Sequence, residues 1–354
     1  MGLSEIRVGL TFDDVLLVPK RSSVRSRQDV SLRTRLSTNV PIEIPVVSAN
    51  MDTVTEWEMA MAMSELGGLG VIHRFLPIGA QAEQVGLAKK NGAVRIGAAV
   101  GVGADDDLLE RAGALIDAGC DVLVLDIAHG HAEHAIAGVS VLKQHHPTVD
   151  VIAGNVATAA GAHDLEQAGA DSVKVGVGPG GVCTTRLVAG VGVPQLTAID
   201  DIANSGVSVP IIADGGIRTS GDIGKALAAG ADSVMIGSLL AGTKESPGEV
   251  ESTAQGLVKR YRGMASFEAV RHRAERTGEV VDDEYFEQRA AEGVEGTVPY
   301  RGEVGKVIGE LMGGVKSSMS YLDARNLAQF RQNAQFIRVT PVGLRENLPH
   351  ATLS

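Results

Sequence analysis

Aromatic residues make up only 3% of the 354-residue chain, with a single tryptophan, so its core has to come from aliphatic side chains. Hydrophobic residues reach 44%, and a core of Val, Ile, Leu, Ala and Met suits closely layered parallel strands. Cysteine is equally scarce. Cys120 and Cys183 lie far apart in different local contexts, which suggests neither a disulfide framework nor a zinc site and points to a reducing compartment. No apolar run approaches the ~18 residues of a membrane span, and the opening residues do not read as a charged-then-apolar leader. Positive charge is short as well: the formal net charge of −11 argues against a nucleic-acid or anionic-membrane partner, while leaving room for a local basic pocket around one phosphate. The expectation is a soluble cytoplasmic protein that handles a small molecule.

What the chain does have is a recurring unit: a short β-rich run ending in small or polar residues, then a helix-like stretch. The runs are Ile44–Asn50, Leu69–Arg74, Arg95–Gly101, Asp121–Ala128, Val149–Val156, Asp171–Gly178, Val209–Gly216 and Asp232–Ser238. Stretches such as Glu56–Leu66, Asp105–Ala118, Thr158–Ala168 and Ser220–Ala229 carry the apolar spacing and late glycine of helices closing onto a strand. Eight such units predict an α/β fold, a (β/α)8 TIM barrel, with residues 1–354 forming one catalytic domain. Two segments exceed the minimal barrel. Residues 178–197 form a Gly-rich loop around Cys183, and residues 265–298, rich in charge and glycine, read as a mobile flap rather than a packed element. Glu303–Gly313 and Ala324–Gln335 read as helices before an irregular tail.

The segment from Gly176 to Arg186, Gly-Val-Gly-Pro-Gly-Gly-Val-Cys-Thr-Thr-Arg, carries the most chemistry. Its glycines allow close approach of backbone to ligand, and a cysteine exposed there can act as a thiolate nucleophile; a structural loop with an inert thiol is the alternative. Cys120, just before an apolar strand, reads as a buried thiol. Glycine-rich ends on strands seven (Asp214-Gly215-Gly216) and eight (Gly237-Ser238) occupy the place where barrels commonly bind phosphate. Asp126 and Asn155 close strands four and five as site candidates. The run from His129 to His134 could be read as a metal site but is better taken as a ligand-facing loop, since no second ligand cluster accompanies it.

Leu10-Thr-Phe-Asp-Asp-Val-Leu-Leu-Val-Pro19, Ser48-Ala-Asn-Met-Asp-Thr-Val54, the Gly176–Arg186 loop, Gly190-Val-Gly-Val-Pro-Gln195, Asp214-Gly-Gly216 and Tyr261-Arg-Gly-Met264 together resemble the IMP dehydrogenase and GMP reductase family over nearly the whole chain. The resemblance implies that Cys183 attacks C2 of a purine 5′-nucleotide. It implies substrate contacts from Ser48, Asp214, Gly215, Gly216, Gly237, Ser238, Tyr261, Gly263 and Met264, and cofactor-side contacts from Asp126 and Asn155. Arg74 stands where it could meet the 2′-phosphate of NADPH. The carbonyls of Gly178, Gly180 and Cys183 match positions that bind a monovalent cation, K+, in dehydrogenase members, and the family suggests a homotetramer. Gly181 stands where the family usually has serine, which removes one hydroxyl from the expected phosphate site.

Within the family, Glu284-Tyr285-Phe286 falls where dehydrogenases place an Arg-Tyr pair that activates water. A carboxylate cannot replace that guanidinium. Arg289-Ala-Ala-Glu-Gly293 resembles a short passage of GMP reductases, and Thr185 with Glu292 matches a threonine–glutamate pair of both enzymes, which in a reductase would relay the proton that helps ammonia depart. Residues 89–92 pass directly toward strand three, without the regulatory CBS modules most dehydrogenases insert there. These features favour NADPH-dependent reduction of GMP, or of a modified purine such as a 7-deazaguanine nucleotide. NAD-dependent IMP dehydrogenation remains open, because the amino-terminal motif, His129-Gly-His131 and the tail at 343–350 are dehydrogenase-like. So do a flavin-dependent barrel and a nucleotide-binding paralogue without catalysis.

Overall fold

The computed structural model describes residues 6–102, 108–254 and 256–347. Eight parallel strands close into a barrel: β1 (Val46–Ser48), β2 (Leu69–Ile72), β3 (Gly97–Val100), β4 (Val122–Asp126), β5 (Asp150–Val156), β6 (Ser172–Val175), β7 (Ile211–Asp214) and β8 (Ser233–Ile236), each paired with its sequence neighbours and β8 with β1. Each lies within one of the eight expected runs. Helices α1 (Trp57–Glu65), α2 (Ile78–Lys90), α3 (Leu108–Asp117), α4 (Glu133–His145), α5 (Ala159–Gln167), α6 (Gln195–Ala203) and α7 (Ser220–Ala228) follow the first seven strands in turn. The expected helix over 105–118 is seen from Leu108; residues 105–107 lie outside the described ones. The passage from α2 to β3 takes only residues 91–96.

One local device explains how helices turn into strands. The tripeptides Gly119-Cys-Asp121, Gly169-Ala-Asp171 and Gly230-Ala-Asp232 each place a left-handed glycine after a helix, with φ of 99°, 105° and 122°, a region L-residues avoid. The aspartate two residues on then accepts a backbone N–H at the start of the preceding strand: Ile96 to Asp121 at 2.7 Å, Val151 to Asp171 at 2.9 Å and Ile211 to Asp232 at 2.9 Å. Lys89 and Lys143, from the ends of α2 and α4, neutralise the first two aspartates at 2.7 Å each. The barrel floor is thereby pinned by the side chain of one unit on the backbone of the last.

Between β8 and the eighth helix the chain leaves the barrel. It forms an antiparallel sheet of β9 (Glu251–Thr253), β10 (Gly256–Arg262) and β11 (Glu295–Pro299), in that order. Between β10 and β11 lie α8 (Phe267–Thr277), capped by the Ser266 hydroxyl, and a short helix, Asp283–Glu287, capped by Asp282. The expectation that 265–298 lacks packed elements is therefore corrected. Its polar sequence was compatible with helix because the segment is held mainly by charged and aromatic side chains rather than by an apolar face. The barrel is completed by α9 (Val304–Tyr321), which packs on α7, and this helix runs eight residues beyond the expected Gly313. Gly313-Gly314 is not a stop: a Cβ on Gly314 would sit 2.1 Å from the Ser220 hydroxyl, so small size there permits close packing of α9 on α7. The helix expected over 324–335 is Leu327–Asn333, and the tail motif at 343–350 lies partly outside the described residues.

The amino-terminal motif braces the barrel mouth. Phe12 is buried beneath the β7 turn, Asp13 takes both terminal nitrogens of Arg218 at 2.9 and 2.6 Å, and Lys225 donates to the Phe12 carbonyl at 2.8 Å.

Candidate active site

The strand C-termini open onto a cavity of about 630 Å3, within the range that holds small ligands. Its walls are assembled by main-chain features as much as by side chains. Gly176, just past β6, has φ of 151°, and a Cβ there would lie 2.0 Å from the Asp214 carbonyl, so only glycine lets β6 and β7 meet at this depth. The buried Gln195 amide joins the same two strand ends, donating to the carbonyls of Val175 (2.8 Å) and Asp214 (3.1 Å). Gly237 is similarly obliged: a Cβ would meet the Tyr261 hydroxyl at 2.7 Å.

Cys183 is partly exposed at the cavity wall, and its thiol donates to the Thr185 hydroxyl at 3.2 Å. Its loop is stitched to the flap. Cys183 bridges Gly293 in antiparallel fashion, the Val294 N–H donates to the Val182 carbonyl at 3.0 Å, and the Thr184 N–H donates to the Glu292 carbonyl at 3.0 Å. Gly263 passes through the same junction, where a Cβ would lie 2.9 Å from the Val182 carbonyl. Cys120, by contrast, is buried, donates to the Val122 carbonyl at 3.1 Å, and has its thiol pKa pushed up to about 12 by desolvation. Only one of the two cysteines is placed for chemistry.

Of the residues expected at the site, Cys183, Thr185, Glu292, Asp214, Gly215, Gly216, Gly237, Ser238, Tyr261, Gly263, Met264, Asp126, Asn155, Arg74, Gly178 and Gly180 all line this one cavity. Ser48 does not. It is fully buried on β1, where the Thr55 hydroxyl donates to it at 2.8 Å; the residues of that motif that reach the cavity are Ala49, Asn50 and Met51. The strand ends at Ser48, and the three residues that follow it turn over the cavity. The reading of residues 129–134 as ligand-facing is also corrected. The cavity wall ends at Ala128, and His131 pairs with Asp164 of α5 at 2.7 Å. Nor is the Thr185–Glu292 relay joined: Thr185 meets the thiol, and the Glu292 carboxylate has no side-chain partner among the described residues.

Lys174 escaped the sequence reading altogether. It projects from the middle of β6 with 2% exposure and donates to Asp126 at 2.9 Å, to Asp214 at 2.7 Å and to Asn155. Burial opposes its charge, but Asp126 and Asp214 outweigh that and hold its pKa above the usual lysine value. Asp126 shows the converse: desolvation is more than offset by Lys174 and then Arg74, leaving its pKa below the carboxylate norm. Burial, then the nearby Asp214 and Cys183, raises the Tyr261 phenol, which stays protonated as a donor. The signal for Lys174 was present in sequence as one cation inside an otherwise apolar strand.

The flap supplies the remaining wall with Phe267, Tyr285 and Arg289. Arg289 donates to the Tyr285 hydroxyl at 2.8 Å and lies over its ring. Glu284 is exposed, bonded to Gln288 and outside the cavity.

A profile of the IMP dehydrogenase / GMP reductase domain matches residues 9–350. The chain belongs to that family. Inosine-5′-monophosphate dehydrogenase of Nitrosopumilus maritimus is 40% identical, with 99% of each chain covered, in an alignment of 475 positions that exceeds the 354 residues here. GMP reductase of Leishmania major is 37% identical over 99% of this chain and 98% of its own. The crystal structure of a cysteine-to-alanine variant of GMP reductase from Trypanosoma brucei, in complex with guanosine 5′-monophosphate, superimposes with a TM-score of 0.91 at 35% identity, covering 99% of both chains. Family members are NAD(P)-dependent purine-nucleotide oxidoreductases, and the IMP dehydrogenase / GMP reductase barrel is the fold seen here, without the regulatory CBS insert.

Proposed function

We propose that this protein carries out NADPH-dependent reductive deamination of a guanine-type purine 5′-nucleotide, GMP or a modified analogue, through a covalent adduct on Cys183. The observation that carries this reading is the exposed Glu284 at the place of the water-activating arginine, outside a cavity that retains Cys183, Thr185 and Glu292. In this reaction the thiolate would add to C2 and the 2-amino group would leave as ammonia, with Thr185 beside the thiol and Glu292 on the cavity wall as the groups available to supply its proton; NADPH, when bound, would supply the hydride that replaces the cysteine on C2. The phosphate fits the amides of Gly215, Gly216, Gly237 and Ser238 on β7 and β8, with ribose on Asp214 and the base near Met264. The nicotinamide side fits the opposite wall at Asp126, Asn155 and Arg74, with Phe75 and Phe267 offering ring faces. For K+, the Gly180 carbonyl accepts the Cys183 N–H at 3.1 Å yet keeps a second lone pair, so it fits a cation together with the Gly178 and Cys183 carbonyls. A homotetramer in the cytoplasm belongs to the same proposal, supported by exposed Leu187, Val188 and Val191 beside the cysteine loop.

The second reading is NAD-dependent conversion of IMP to XMP, favoured by the higher identity to the N. maritimus dehydrogenase than to the L. major reductase. The deciding experiment follows NADPH and NADH oxidation with GMP beside NAD reduction with IMP, for wild type and Cys183→Ala. Reductase activity predicts GMP-dependent oxidation with stoichiometric ammonia, falling at least ~10³-fold in Cys183→Ala while nucleotide binding persists. Reduction of NAD with IMP and no ammonia from GMP would replace the first reading by the second.

A further inference from the structure

Lys174 stands between the two halves of the cavity, and the mechanism above does not use it. Asp214 closes β7, beside the glycine-rich ends of β7 and β8. Asp126 closes β4, diametrically across the barrel from β8. One buried ammonium group lies within 3 Å of a carboxylate oxygen of each, so those oxygens are no more than about 6 Å apart with a single cation between them. The contact is selective by atom. Lys174 and the Asn155 amide both take Oδ2 of Asp214, at 2.7 and 2.9 Å, which leaves Oδ1 without a side-chain donor among the described residues. On Asp126, Lys174 takes Oδ1. The Asn155 amide also donates to the Gly176 carbonyl at 2.8 Å, fixing the far side of the lysine's cage to the cysteine loop.

We propose that Lys174 is a positioning residue shared by the two ligand sites: it turns Asp214 so that Oδ1 is presented to the nucleotide ribose, turns Asp126 toward the cofactor, and is the one cation placed between the two carboxylates. The inference rests on the placement of nucleotide at β7–β8 and cofactor at the β4 wall made under Proposed function. Three groups satisfy three donors, so the ammonium has no proton direction left for a ligand. Its action is therefore indirect. Arginine, which keeps the charge and adds donors in a fork, is expected to preserve much of the arrangement, whereas methionine preserves bulk alone.

The charged and titratable groups around this centre are Asp126 from β4, Asp214 from β7, Arg74 after β2, Tyr261 from β10 and Cys183 from its loop. Removing the lysine leaves two neighbouring carboxylates with Arg74 as the remaining cation acting on Asp126, and Asp126, now without the charge that holds its pKa down, takes up a proton at higher pH than before. Lys174→Met is thus expected to weaken both GMP and NADPH binding by on the order of tenfold or more. It also moves the acid limb of the kcat/KM profile upward. Lys174→Arg is expected to recover most of both affinities and the wild-type acid limb.

The test measures dissociation constants for GMP and NADPH separately, and the pH profile, on full-length wild type, Lys174→Met, Lys174→Arg and the double variant Lys174→Met/Asp126→Asn. The double variant restores charge balance and provides a foldable comparison if the single one does not fold. Its acid limb should return toward wild type while GMP affinity stays low, because Asp214 still lacks its guide. Loss of affinity for one ligand alone, failure of arginine to restore either in a folded protein, or full recovery of GMP affinity in the double variant would each overturn the proposal. Wild type that binds neither ligand overturns the functional reading itself, and this inference with it.

Discussion

The barrel and the flap obey different rules. Strands β2, β3, β6 and β8 are buried at every position, and the aspartates of the Gly-X-Asp turns lock one unit to the next. In α8 of the flap only Ala269 and Ala274 are buried, and the segment is held by charge. Arg262 binds the fully buried Asp52 carboxylate at 3.0 Å through Nε and Glu295 at 3.3 Å. Arg276 reaches Glu56 at 3.1 Å, and Arg273 lies over Phe75. Apolar burial scales with area and is indifferent to direction, whereas ion pairs are specific and reversible. The site lies where the two meet: the barrel sets positions, and the flap covers them at lower local stability.

The comparison breaks most severely at glycine. Gly176→Ala forces a Cβ onto the Asp214 carbonyl from a left-handed backbone, and a loss of about 4 kcal/mol is expected in chemical denaturation. Gly278→Ala, also left-handed at φ 77° but facing open space at the end of α8, should cost about 1 kcal/mol and show only as fraying of that helix in hydrogen exchange. Equal losses at both would show that flap and barrel unfold as one unit. Next comes the Asp52 anchor. Arg262→Ala leaves a buried carboxylate with only His272 beside it, at 3.2 Å, and should destabilise the protein by about 2–3 kcal/mol, with hydrogen-exchange protection lost across β10 and β11 before the barrel strands. Protection lost uniformly would place Arg262 in the barrel's cooperative unit.

The smallest effect is titration of Glu56. Burial raises its pKa, but the His73 hydrogen bond and charge, followed by Arg276, outweigh that and hold it below the ordinary value of 4.5. A depressed folded pKa gives stabilisation that is complete above the unfolded value and is lost as pH falls through the folded one. Docking of α8 on the β2 side should accordingly weaken only below about pH 4.5, seen as a few-fold faster proteolysis of the flap at pH 4 than at pH 7 that disappears in Glu56→Gln. A pH-independent cleavage rate would remove Glu56 from the docking contacts.

The eight strands were legible because parallel strands buried on both faces leave apolar runs that need no alternation to be seen, and the glycines after helices mark the spacing. The cavity-lining cysteine was legible for a related reason: glycines and prolines clustered around one cysteine have little to do in a packed element. What stayed hidden was determined by direction or by partners far away in sequence. Ser48 and Ala49 differ by one position, but the first is the last residue of its strand and the second begins the turn that lines the cavity. Lys174 looked like an interruption of an apolar run, and its meaning depends on aspartates 48 residues before and 40 after it. Gly313-Gly314 resembled a helix end because the close approach of Ser220 cannot be read locally. In α8 the apolar positions Phe267, Val270 and Ala274 have helical spacing, but the charged residues between them masked that narrow face.

The stitching of residues 182–184 to 292–294 works as an interlock. The bonds from Val294 to Val182 and from Thr184 to Glu292 lie on either side of Cys183, so its loop cannot turn without disturbing the strand across from it. The direction of the thiol is therefore set from both sides at once, by its own loop and by residues 292–294. Alkylation of the partly exposed Cys183 by a small electrophile would consequently report whether that junction is intact, making the sulfur atom a gauge of its own alignment.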